Sequence, residues 1–130
     1  MSPAFVLLHH GTTRHRADRM VRTGPDATFV EPGGGLGSRA EGFSTVEAGA
    51  TDRGLGTAED YARRKAGNFP TEGGPVILEV DVPVGIVELV QADPIGAIVA
   101  ASGEIRFEPG LGLEELLQAW PGLTKRVIVL

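Results

Sequence analysis

The chain has 130 residues, 42% of them apolar, no cysteine and a formal net charge of −5. That length suits one domain with one hydrophobic core, residues 1–130 throughout. The missing cysteines exclude disulfides, thiolate metal sites and a cysteine nucleophile, and the acidic balance argues against general binding to nucleic-acid phosphates.

In chain order, residues 4–10 (AFVLLHH) form an apolar run of strand length, suited to a strand covered on both faces. Gly11 is expected to break it, and Thr12 or Thr13 to cap a helix over residues 14–22, ended by Thr23, Gly24 and Pro25. Residues 26–56 look like loop around the glycine run 33–37, with one short strand at 42–46 (GFSTV). Thr57 is an N-cap candidate for a second helix, with Ala58, Tyr61, Ala62, Lys65 and Ala66 on one face and Gly67 as its stop. Strands are then expected at 76–82, 86–91, 95–100 and 105–107. A short helix follows at 113–120, closed by Pro121 and Gly122, and a last strand at 126–130. The 19 glycines and 9 prolines support many turns, and the element order predicts an α+β domain with a strand-rich core and two or three short helices. No apolar stretch is long enough to span a bilayer, and the N-terminus lacks the basic residue and long apolar run of a secretory signal. Both point to a soluble, cytoplasmic protein with no membrane partner.

Several residues bear chemistry. His9 and His10 are adjacent on a strand, so they point to opposite faces and are poorly placed to share an ion. No carboxylate clusters with them in sequence, and no metal site is expected. His10 precedes Gly11 and Thr12, where a ligand can approach the backbone closely. Residues 13–23 hold four arginines against Asp18, a local +3 that leaves −8 for the rest; this is either a solvated helix face or a patch for an anionic ligand. The glycine run lacks the Gly-Lys-Ser/Thr ending of a phosphate-binding loop. Glu79 and Asp81 alternate with apolar residues and look like a solvated face. Glu104 opens a strand just after Ser102-Gly103, with Ile105 and Phe107 directed to the core and Arg106 to the other face.

Taken together, the His10-Gly11-Thr12 strand end, the Gly42-Phe43-Ser44-Thr45 strand before the helix bearing Tyr61, and Glu104 heading a late strand resemble the ADP-ribosyltransferase superfamily. The closest likeness is to its diphtheria-toxin and poly(ADP-ribose) polymerase branch, which uses a His, a Tyr and a Glu in that order. The resemblance implies an ADP-ribosyltransferase-like fold and a glycosyltransferase that uses NAD as co-substrate. His10 would bond the NAD ribose, the Gly11 backbone the nicotinamide amide, and Thr12 would support that pocket. Glu104 would be catalytic, stabilising the positive charge that builds on the sugar as nicotinamide leaves. Ser44 stands where that branch has Tyr, so Phe43 or Tyr61 would wall the nicotinamide, beside Ser44 and Thr45. The expected activity is mono-ADP-ribosyl transfer or NAD hydrolysis, as in bacterial toxins. The acceptor is a protein, nucleic acid, small molecule or water, and an antitoxin or other protein partner goes with the toxin reading. The alternatives are an RNA 2′-phosphotransferase-like enzyme, and a degenerate domain that binds a nucleotide or protein without chemistry.

Overall fold

The computed structural model describes residues 4–25, 43–48, 58–92, 104–107 and 111–130. They form an α+β domain in which a five-stranded antiparallel sheet carries helices on both faces. The strands are β1 (Phe5–Thr13), β2 (Phe43–Glu47), β3 (Pro75–Pro83), β4 (Glu104–Phe107) and β5 (Lys125–Val129). Their order across the sheet is β4-β2-β1-β3-β5. The helices are α1 (Arg14–Thr23), α2 (Ala58–Asn68), α3 (Val84–Ala92) and α4 (Leu111–Ala119), the last running into a 3-10 turn at Trp120–Gly122. Among the described residues there are four α-helices, where two or three were expected.

The apolar run of β1 is explained by its place. It is the central strand, covered on one face by the large core and on the other by α2. Leu8 enters the large core with Leu78 and Val80 of β3, Phe43 of β2 and Phe107 of β4. Ala17 and Met20 of α1, Val87 and Val90 of α3, Leu116 of α4 and Trp120 complete it. On the opposite face the described residues form a small cluster, Val46, Ala58 and Ile77, under α2.

Gly11 does not break β1, which continues to Thr13. The glycine is needed for a different reason. A Cβ there would overlap the carbonyl oxygen of Ala58 and lie 2.7 Å from the Ala62 nitrogen, so its absence lets α2 sit on the strand. Thr13 then caps α1 by accepting a hydrogen bond from the Arg16 amide, and Gly24, at φ 83°, returns its N–H to the Met20 carbonyl. Gly67 does not stop α2, which runs one residue further to Asn68.

The strand expected at 86–91 is instead helix α3. Ile86, Val87 and Val90 are β-branched, which suits a strand locally. But Ile86, Val87 and Val90 are the buried ones, a helical spacing, and packing of that face on the core outweighs local preference. The expected strand at 95–100, the glycine run 33–37 and Thr57 lie outside the described residues. Among those described, no helix is long and apolar enough to cross a membrane.

Candidate functional site

The motif-bearing strands are neighbours. β4, with Glu104 at its start, pairs with β2, and β2 pairs with β1, which carries His10, Gly11 and Thr12. The three segments that lie far apart in sequence therefore meet side by side in half of the sheet.

Strand alternation then sorts the side chains. His10 lies on the large-core face, buried, with its ring centroid 4.6 Å from that of Phe43. Phe43 is itself enclosed, in ring contact with Phe107 at 6.1 Å and edge-on to Trp120 at 6.0 Å. It serves as a core aromatic in this arrangement. Thr45 is buried too, and its hydroxyl donates to the Ile105 carbonyl at 2.8 Å, tying β2 to β4. Thr12 is fully buried, and its hydroxyl has no hydrogen-bond partner among the described residues.

Gly11 presents its backbone beneath α2. Tyr61 is half-buried on α2, with the Arg64 guanidinium 4.7 Å from its ring centroid. Ser44 faces Arg106 across the β2–β4 ladder, and Glu104 faces Val46; the side chains of Ser44 and Glu104 lie outside what is described. Ile105 and Phe107 do enter the core, and Arg106 is buried on the face opposite them.

Val46 pairs in turn with His9, so the Glu104 position shares a row and a face of the sheet with His9. His10, one residue along β1, is turned to the opposite, large-core face, so the structure does not bring the two expected site residues together. That row continues through Glu79 to Arg126 of β5. Here Glu79 is more than a solvated carboxylate. It pairs with His9 Nε2 at 2.7 Å and accepts from Arg126 at 2.6 Å, with only 14% of its side chain exposed. The hydrogen bond with His9 is the main cause holding the Glu79 carboxyl below its usual range; burial opposes it, and Arg126 helps. Sequence could not reveal this cluster, because it depends on register between strands some seventy residues apart. The only signal was the adjacency of two histidines that had to face opposite ways.

The basic stretch is also resolved. Arg16 is buried, donating to Glu72 at 2.7 Å with its guanidinium 4.3 Å from the Phe69 ring centroid, while the Thr13 hydroxyl donates to the same carboxylate at 2.8 Å. Arg14 makes an exposed pair with Asp18. This end of α1 is a structural clasp onto residues 72–74, to which the Arg14 and His15 amides also donate. Among the described residues no group of three His, Asp or Glu side chains is placed to hold a metal ion. Comparison of the chain with protein-family models, curated proteins and solved structures found no match.

Proposed function

We propose that the chain is a soluble, cytoplasmic NAD-dependent mono-ADP-ribosyltransferase or NAD glycohydrolase with an ADP-ribosyltransferase-like fold. The observation that carries this reading is the adjacency of β4, β2 and β1, which brings the Glu104, Phe43–Thr45 and His10–Thr12 segments into one half of the sheet. In this role the Gly11 backbone holds the nicotinamide end of NAD on the face covered by α2, which bears Tyr61; His10 and Thr12 would have to leave the large-core face to join it, because Glu104 pairs with Val46 on the α2 face. Cleavage of the nicotinamide–ribose bond leaves positive charge on the sugar, and a fixed carboxylate from Glu104 stabilises that charge more than it stabilises the substrate. The acceptor is water or a nucleophile on a protein, nucleic acid or small molecule, and the toxin reading adds an antitoxin as a partner.

A second reading, a domain that binds a nucleotide or protein without chemistry, draws support from Phe43 and Thr45. Both are committed to the core and the β2–β4 ladder, and so are withdrawn from a nicotinamide pocket. The RNA 2′-phosphotransferase alternative loses ground because Arg16 is engaged with Glu72.

The test is incubation with NAD, following released nicotinamide. Wild-type protein is expected to release it, and Glu104→Gln to release it at least about 10²-fold more slowly, the usual loss when a charge-stabilising group is removed. Equal rates would remove Glu104 from the reaction. No release, with no heat of NAD binding at millimolar concentration, would favour the second reading. Loss of a 2′-phosphate from a short RNA in the presence of NAD would favour the phosphotransferase.

A further inference from the structure

β5 is an edge of the sheet, pairing among the described residues with β3 alone. An edge strand offers unpaired backbone groups to another chain, and proteins blunt such edges with proline, a bulge or an outward charge. β5 has none of these in place. Residues 125–129 (KRVIV) contain no proline, and their register with β3 runs one-to-one, without a bulge. Both cations are turned back onto their own chain. Lys125 Nζ donates to the Trp120 carbonyl at 2.5 Å, and Arg126 donates to Glu79 at 2.6 Å. What is left is apolar: Ile128, Val129 and Leu130 are exposed, Val129 by 64%.

The ladder fixes which backbone groups are on offer. The Asp81 amide donates to the Thr124 carbonyl, and the Leu130 amide to the Pro75 carbonyl. Antiparallel pairs alternate, so the even-numbered residues of β5 bond to β3, and the N–H and C=O groups of Lys125, Val127 and Val129 point away from it. A second β5 laid antiparallel, with Val127 opposite Val127, matches all three through about six hydrogen bonds. No like charges meet, because Lys125 faces Val129 and Arg126 faces Ile128. Moving the symmetry axis to Arg126 sets Arg126 against its own copy, and a parallel in-register pairing does so for both cations, which is destabilising. Moving it to Ile128 leaves Lys125 beyond the end of the facing strand.

We propose that the chain forms a symmetric homodimer in which the β5 strands of two copies pair antiparallel about Val127, joining their sheets into one. This assembly is independent of the NAD reading.

The chain has no cysteine, so a single introduced thiol reports the register. In the proposed dimer the two thiols of Val127→Cys face each other across backbones about 5.5 Å apart, within disulfide reach; those of Val129→Cys are on backbones about 14 Å apart and out of reach. After air oxidation, Val127→Cys is expected to run at twice the chain mass without reductant. Val129→Cys should stay single although it is the more exposed position, whereas chance collision would favour it. Sedimentation equilibrium of wild type should show the mass rising towards that of two chains with concentration. Val129→Lys sets a second ammonium opposite Lys125 and Val129→Glu a carboxylate, so the former should dissociate about 5-fold more readily than the latter. Wild-type protein of single mass at every concentration overturns the proposal and leaves the edge to a strand of another protein. Equal association of Val129→Lys and Val129→Glu also overturns it, as does a Val127→Cys protein that links no faster than Val129→Cys.

Discussion

The two faces of the sheet are built on different terms. One is packed by α1, α3, α4 and Trp120 into a continuous apolar core; on the other the described residues form a three-residue apolar cluster under α2 and then a line of ionisable groups. The two adjacent histidines display the difference. His10, on the packed face, meets the Phe43 ring, whereas His9, on the other, meets the Glu79 carboxylate. One step along a strand exchanges an aromatic neighbour for a charged one. The apolar face supplies the stability that lets the other face keep charged groups together in partial burial.

If that division holds, the largest mutational costs fall on the packed face. Phe107→Ala empties a site with no exposed surface and should cost about 3–5 kcal/mol, whereas Ile77→Ala, in the three-residue cluster opposite, should cost about 2 kcal/mol. Urea unfolding measures both, and equal costs would break the comparison. Next in size is the contact between α2 and β1. Gly11→Ala drives a methyl into the Ala58 carbonyl, so α2 must lift, at a cost of about 1–3 kcal/mol. Gly67→Ala, on the same helix with open space around it, should instead stabilise by about 0.5–1 kcal/mol. Opposite signs in thermal melts support the close approach at Gly11; a neutral Gly11→Ala would show that α2 does not rest on the strand.

Much of the fold was legible because it depends on local pattern. The apolar run before His10, the Thr13 and Gly24 caps of α1, the alternation of β3 and the Pro121-Gly122 stop could all be read from neighbouring residues. Errors came where tertiary contact overrides that pattern. The segment 86–91, with β-branched Ile86, Val87 and Val90, became α3 because those three residues meet the core together, and Gly11 proved to be a packing glycine inside a strand. The site was legible only in part. β1, β2 and β4 are neighbours, but the register that puts His9 rather than His10 on the face of the Glu104 position depends on pairings across the whole sheet. Arg16 could not be told from its exposed neighbours, since its partner Glu72 lies 56 residues away.

The smallest expected effect sharpens the comparison by asking what a partly buried charge contributes in this protein. Glu72 accepts from Arg16 and from Thr13, and the Arg16 hydrogen bond is the main cause holding its carboxyl below the ordinary value near 4.5; burial opposes it, and Thr13 and the charges of Arg16 and His15 reinforce it. A carboxyl with a lower pKa in the folded than in the unfolded chain adds stability that is complete above that ordinary range and fades as pH falls through the folded value. With 21% of the Glu72 side chain exposed, solvent takes part of that gain. Glu72→Gln should therefore cost about 1–2 kcal/mol at pH 7, and the difference from wild type should shrink steadily below pH ~4.5. Unfolding curves at neutral pH and in acid give both values. An undiminished difference in acid would mean that Arg16 and Glu72 act through shape and packing, and that the charge on this side of the molecule contributes nothing to holding α1 in place.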